Sequence, residues 1–305
     1  MVANPSTPQG SLKVMMDNLT IMLYGHTGAG KTALIGELAE HYFATQKKKT
    51  RLYTSDRGGW ITIAPYVELG VIEVIPLFDD PWIWLGHAVK GDTLKDGNWV
   101  PGTRPDIALY AFEGMTSTAD AVMSWMAQAS GRGVNIGGGG AMNFTVTQGK
   151  ETLKIGTNNM AHYGVAQQQV YEKATESQYL PGTVLWTAGD KRGEDDAIGG
   201  VVGPQVAGKA LTSEVPRWFK YTLRVATEVM AGQAPKHVLY LEDHIEMNAR
   251  MAKAMVNARV PLAGGGEGGV TIPSRIEPAS LVQFLTMMQE RQASAKSAIA
   301  KRLGL

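Results

Sequence analysis

Gly25-His26-Thr27-Gly28-Ala29-Gly30-Lys31-Thr32 is a complete G-x-x-x-x-G-K-[ST] string, and each of its residue types has chemical work to do. Glycines let a backbone wrap round a phosphate chain so that its N–H groups face the anion. A helix starting at the end of the string adds the positive end of its dipole. The Lys31 ammonium reaches the β- and γ-phosphates, and the Thr32 hydroxyl is a ligand for Mg²⁺. All eight residues are candidates for nucleotide binding, with ATP and Mg²⁺ as the implied cofactors. In a chain with 36 glycines the string alone can arise by chance, so its surroundings matter. The apolar run Leu19-Thr20-Ile21-Met22-Leu23-Tyr24 before it reads as a buried strand. Residues 33–43 after it read as a helix with Leu34, Ile35, Leu38 and Tyr42 on one face.

A phosphate loop that supports hydrolysis needs a carboxylate on the magnesium side and another to orient the attacking water. Two segments compete for the first. Val74-Ile75-Pro76-Leu77-Phe78-Asp79-Asp80 ends in paired acids, but Pro76 is a poor fit to a central strand. Ile107-Ala108-Leu109-Tyr110-Ala111-Phe112-Glu113 is uninterrupted, and strand quality favours Glu113. Asp56 suits the water-orienting role, because it ends the strand expected beside the loop and Gly58-Gly59 permits close approach of a ligand. It reads equally well as a turn aspartate. Thr187, at the end of a later strand, is either a reader of the γ-phosphate or an ordinary β-branched strand residue. The six histidines show no metal-ligand spacing. His237 and His244, near Glu242 and Asp243, read as a surface pair rather than a zinc site.

These residues need elements to hold them. Strands are expected at 51–55, 71–75, 107–112 and 184–188, and helices at 60–69, 82–89 (one turn), around Val122, Trp125 and Met126, and at 164–177. Asp96-Gly97 between Lys95 and Trp99 predicts a hairpin turn. Strands alternating with helices behind a phosphate loop imply an α/β fold with a mostly parallel central sheet covered by helices. Segments 221–229 and 237–241 face each other as a hairpin at the sheet edge. Two stretches break the pattern: 131–159, rich in Gly, Asn and Thr, and 189–208. The first reads as either a disordered segment or a functional loop, and the second as a flexible segment. Domain boundaries follow: a polar tail at 1–18, the ATPase domain at 19–262, a Gly-rich linker at 263–276 and a C-terminal helix at 277–305. That helix carries Leu281, Phe284, Leu285 and Met288 at i, i+3, i+4 and i+7.

Composition narrows the function classes. The chain has no cysteine, which removes disulfide, iron–sulfur and thiol chemistry. No apolar run approaches the roughly 20 residues that span a bilayer, and residues 1–18 lack a signal-peptide apolar region. The expectation is a cytoplasmic protein without a membrane partner. With 29 basic and 28 acidic residues the net charge is +1, so any nucleic-acid site has to be local.

The order of these pieces resembles the RecA-like phage ATP-binding proteins associated with single-strand annealing and recombination. The matching segments are Tyr24-Gly25 with the phosphate loop, Asp56-Arg57-Gly58-Gly59 and Glu113-Gly114-Met115-Thr116. Tyr163-Gly164 and Leu180-Pro181 ahead of Val184-Leu185-Trp186-Thr187-Ala188 follow. Gly203-Pro204, Gly208-Lys209-Ala210-Leu211-Thr212 and Asn257-Ala258-Arg259-Val260-Pro261 complete the set, which covers residues 19–261. The chain departs from the family pattern at Glu113, where Asp is more usual, and at Arg57, where an acid often precedes the glycine pair.

The resemblance implies a RecA-like P-loop ATPase that assembles as a homo-oligomer, ring or filament, with ATP between subunits. It implies cations supplied to the neighbour's γ-phosphate. Lys191 and Arg192, following a core strand, are the candidates, with Lys209 as a second; Lys191 and Arg192 read equally well as partners of the adjacent acids. It further implies single-stranded DNA held by the two loops, with Arg132, Lys150 and Lys154 on phosphates and Phe144 as a stacking face. A single-strand-binding protein is a further implied partner, and the compartment is the host cytoplasm if the chain is phage-encoded.

Overall fold

The structure, a computed structural model, describes residues 19–56, 58–77, 93–95, 98–100, 105–131, 143–148, 151–156, 160–193, 201–206, 209–229, 232–241, 244–247, 250–254, 256–258 and 273–304. The tail at 1–18, the segment 82–89, Arg57, Asp79 and Asp80 lie outside them, as does most of the expected linker.

The apolar run before the phosphate loop is strand β1 (Thr20–Tyr24), buried at every residue, and the loop passes into helix α1 (Lys31–Gln46). Then come β2 (Lys49–Thr54), a 3-10 turn (Gly59–Ile63), α2 (Ala64–Glu68) and β3 (Ile72–Pro76). A small hairpin of β4 (Thr93–Lys95) and β5 (Asn98–Val100) pairs Lys95 with Asn98, which brackets the expected Asp96-Gly97 turn. Next are β6 (Ile107–Glu113) and α3 (Met115–Gly131). After a hairpin of β7 (Asn143–Gln148) and β8 (Glu151–Gly156) follow α4 (Met160–Ser177) and β9 (Thr183–Gly193).

Five of these strands, together with β11 (Tyr221–Glu228), build the centre of the sheet. The spatial order is β3-β2-β6-β9-β1-β11, and every pair in it is parallel. β12 (Lys236–Tyr240) adds antiparallel to β11, and the two-residue β16 (Arg275–Ile276) adds antiparallel to β12. Parallel strands need both faces covered, and the strand alternation divides the core accordingly. Ile21 and Leu23 of β1 face a layer containing Leu34, Ile35 and Leu38 of α1. Met22 and Tyr24 face a second layer with Met115 and Ala119 of α3 and Val170 of α4. The C-terminal helix α6 (Leu281–Leu303) joins the first layer, burying the predicted Leu281, Phe284, Leu285 and Met288 stripe against its own domain. Ser280 and the backbone N–H of Leu281 both donate to Glu37 of α1, at 2.5 and 2.9 Å, and so fasten the two helices at one corner.

Three expectations are corrected. The stretch 131–159 is not a plain loop: Asn143–Gln148 and Glu151–Gly156 pair as the antiparallel hairpin β7–β8. The stretch 189–208 is not one either. Residues 189–193 continue β9 beyond the sheet and pair antiparallel with β10 (Val201–Gln205), and α5 (Lys209–Trp218) begins at Lys209. Glycine and asparagine lower strand propensity, but a hairpin partner satisfies the backbone hydrogen bonds whatever the side chains. Finally, Arg275 and Ile276, placed in the linker by composition, are a strand. β10 also carries β14 (Arg250–Ala254), which pairs with β13 (His244–Met247), and β15 (Asn257–Ala258) pairs with β11.

Candidate functional site: a phosphate-loop cleft at the strand ends

In an open parallel sheet, ligands bind beyond the carboxyl ends of the strands. Here that position holds a cavity of about 660 Å³, lined by Gly30, Lys31 and Thr32 of the loop, Asp56 and Glu113 from two neighbouring strand ends, and His237.

The loop geometry explains its glycines. A Cβ on Gly25 would lie 2.1 Å from the Val225 carbonyl oxygen of β11, so only glycine lets the chain leave β1 there. Gly30 has φ +96°, a left-handed conformation that favours glycine, and it precedes the first residue of α1. No side chain caps that helix, which leaves its first N–H groups directed at the cleft for an anion. Lys31 is folded back on the loop, its Nζ donating to the carbonyls of Gly25 (2.7 Å) and His26 (2.9 Å). Burial lowers the Lys31 pKa; the carboxylates of Asp190, Glu113 and Asp56 oppose the shift.

Glu113, the last residue of β6, is 6% exposed. Its carboxylate accepts from the Thr32 hydroxyl and, at 3.2 Å, from the Thr54 hydroxyl of β2. Burial raises the Glu113 pKa, against the two hydrogen bonds that favour the charged form. Its height in the cleft is fixed from below: Tyr53, Phe112 and Trp186 stack across β2, β6 and β9, with ring centroids 5.0 and 4.5 Å apart. Trp186 Nε1 donates to Ser177 at 3.0 Å. The next rung up this ladder is Thr54, Glu113 and Thr187. Thr187 spends its hydroxyl on the strand end, accepting from the Gly114 N–H at 2.9 Å, while still lining the cavity.

Asp56 accepts from the Gly58 N–H at 2.9 Å and thereby closes its own turn. A Cβ on Gly59 would sit 2.7 Å from Asp56 Oδ2 and 3.4 Å from Glu113 Oε1. Both carboxylates therefore border one small space beside Thr32. Hydroxyl and carboxylate oxygens gathered in this way fit a hard divalent cation such as Mg²⁺, with Thr32 and Glu113 as the residues that would hold it.

Of the other predicted residues, Lys191 lies on β9 opposite Gly203 and Arg192 opposite Val202. Lys191 is half-buried and does not line the cavity. Its neighbour Asp190 pairs with the buried Arg224 of β11 at 3.5 Å. Arg132 and Lys150 lie outside the described residues. Phe144 pairs in register with Ile155, and Lys154 with Thr145, on consecutive rungs of the β7–β8 hairpin.

Sequence reasoning missed two features of the site. Ser117 and Asp120, on the first turns of α3, line the cavity, and burial raises the Asp120 pKa. His237 lines it as well, brought there by the β11–β12 register that sets it beside Thr227. The facing strands were visible in the sequence; their register was the missing signal.

No family model matches the chain, and no curated protein matches it. Among solved structures it is similar to the flagellar accessory protein FlaH from Methanocaldococcus jannaschii, at 10% identity and a TM-score of 0.36, over 79% of this chain and 87% of that one. It is also similar to the KaiC-like protein PH0186 from Pyrococcus horikoshii OT3, at 10% identity and a TM-score of 0.38, over 77% and 88%. Likeness at this level is general, and the chemistry of this chain rests on its own residues. Among the described residues, no helix is long and apolar enough to cross a membrane.

Proposed function

We propose that the chain is a Mg²⁺-dependent, RecA-like ATP-binding protein and ATPase that assembles as a homo-oligomer and acts on single-stranded DNA in phage-type recombination or strand annealing. The observation that carries the nucleotide part is the meeting of the Thr32 hydroxyl and the Glu113 carboxylate beside Lys31, at the mouth of an uncapped helix. The DNA part rests on the sequence resemblance and the β7–β8 hairpin that bears Phe144 and Lys154.

On this reading Lys31 exchanges its two loop carbonyls for the β- and γ-phosphate oxygens, a trade of neutral acceptors for charged ones. Bound Mg²⁺ would neutralise charge on those oxygens. Asp56 orients a water and takes its proton as that water attacks the γ-phosphorus. The bond to the β–γ bridging oxygen breaks, and ADP and phosphate leave. Glu113 keeps Thr32 aligned, and Lys191 and Arg192 serve a neighbouring protomer's γ-phosphate.

A second reading has one observation in its favour. Trp60 and Ile61, 38% and 70% exposed, follow directly on Gly59 at the cleft wall. An apolar pair there suits a nucleotide-dependent assembly or switch ATPase whose partner is a protein. ATP hydrolysis by the purified chain, with and without single-stranded DNA and with Lys31→Ala as control, separates the two. Lys31-dependent turnover stimulated by DNA supports the recombination reading. Lys31-dependent turnover indifferent to DNA supports the switch.

A further inference from the structure

The strand order gives the cleft a direction. On one side of the phosphate loop lie β9, β6 and β2, which bring Thr187, Glu113 and Asp56; on the other lie β11 and β12. With Lys31 at the β- and γ-phosphates and the magnesium-side acid on β6, the γ end of a nucleotide points toward β6. Its α-phosphate and nucleoside must then extend over β11 and β12. His237 stands on β12 at that end of the cavity.

The side chain is held there from two directions. His237 Nδ1 is 3.1 Å from the Thr227 hydroxyl of β11, and the same hydroxyl lies 3.5 Å from the Gly28 carbonyl oxygen. The imidazole is thus tied to the loop itself. Its Cγ and Nδ1 lie 3.5 Å from the point where a Cβ on Gly30 would stand. The backbone is fixed too, since the His237 carbonyl accepts from the Ala279 N–H at 2.8 Å. Yet the residue is exposed and belongs to none of the core layers. It is an oriented flat ring with an open surface, and folding makes little use of it.

We propose that His237 is the nucleoside contact of the cleft, its ring packing against the base-and-ribose end of a nucleoside di- or triphosphate. The assignment rests on the nucleotide reading given above and adds to it which moiety of the ligand this residue meets. Every base has a π face, so packing of this kind supplies affinity with little choice between bases.

The test is calorimetric titration of the full chain with Mg-ATP, Mg-ADP and inorganic tripolyphosphate, in the wild type and in His237→Ala, His237→Phe and Lys31→Ala. His237→Ala is expected to weaken ATP and ADP about tenfold and to leave tripolyphosphate unchanged, with His237→Phe restoring most of the loss. Equal weakening of tripolyphosphate would make His237 a phosphate contact and overturn the assignment. Unchanged ATP binding in His237→Ala, or a phenylalanine that behaves as alanine, overturns it as well. If the wild-type chain binds neither ATP nor tripolyphosphate, or if Lys31→Ala changes nothing, the nucleotide reading itself falls and takes the assignment with it.

Discussion

The two halves of β9 share one strand and live in different surroundings. Residues 183–188 run between β6 and β1, all of them buried, and near their end stands Thr187, whose hydroxyl holds the turn after Glu113. Residues 189–193 leave the parallel sheet, pair with β10, and carry Asp190 and Lys191 into partly exposed positions. The first half is finished within one chain: strands, floor, carboxylate and loop all supply one another's partners. The second half carries charge outward. Its described attachment on the sheet side is the Asp190–Arg224 pair. The phosphate chemistry is therefore expected to fail in place when its residues are removed, while the hairpin is expected to act on a neighbour.

Lys31→Ala gives the largest effect. Removing the cation proposed for the β- and γ-phosphates is expected to lower turnover about 10³-fold, measured as phosphate release at saturating ATP. Retention of near-normal turnover would mean that the loop is not the reaction centre. Next comes the floor. Trp186→Ala removes a fully buried ring, its stack on Phe112 and its bond to Ser177. A loss of about 3–5 kcal/mol is expected, read as a lower denaturant midpoint. Glu113→Gln keeps the shape but weakens the acceptor that aligns Thr32. Turnover should fall about 10²-fold with ATP affinity within a few-fold of wild type; a matching loss of affinity would place Glu113 in ground-state binding instead.

How much of this was legible in the sequence differs between the same two regions. The phosphate loop, β1, α1 and β6 follow from local pattern, because each is a short run whose periodicity and glycines specify it without a partner. The convergence of Asp56 and Glu113 needs β2 and β6 to be neighbours, and residues 57 positions apart carry no local sign of that. The aromatic ladder of Tyr53, Phe112 and Trp186 is likewise a matter of register. The hairpin half of β9 does not read as a strand in sequence because glycine and charge lower strand propensity, while the pairing with β10 that overrides it is a tertiary fact. α5 carries Pro216 inside it, which disguises the helix in the sequence.

A smaller effect tests the hairpin itself. Lys191→Ala is expected to reduce turnover about tenfold, because Arg192 is the second cation proposed for the same phosphate. The sharper measurement mixes Lys191→Ala protein with Lys31→Ala protein. If Lys191 serves a neighbour's phosphates, mixed oligomers regain turnover at sites that combine an intact Lys31 with an intact Lys191. If the mixture shows only the sum of its parts, the two halves of β9 act on the same site and the distinction between them collapses.

The smallest effect lies at the far end of the attachment. Arg224, which holds Asp190, sits 5.6 Å from the ring of Tyr240 on β12, and the Tyr240 hydroxyl donates to Glu228. Burial, with Glu228 adding to it, pushes the Tyr240 pKa up to about 12 from 10.0. A tyrosine whose folded pKa is raised keeps its proton longer in the folded state than in the unfolded one. Its contribution to stability is complete below the unfolded value and is lost as pH climbs through the folded one. The wild-type chain should accordingly lose stability between about pH 10 and 12, and Tyr240→Phe should lose less over the same range, as judged by thermal midpoints across it. Nucleotide affinity at neutral pH should be the same in both proteins, because Tyr240 does not line the cavity. A drop in affinity would instead mean that Tyr240, through Arg224, tunes the Asp190 carboxylate that acts on Lys31, so that the hairpin half of β9 is coupled to the loop within one protomer as well as across two.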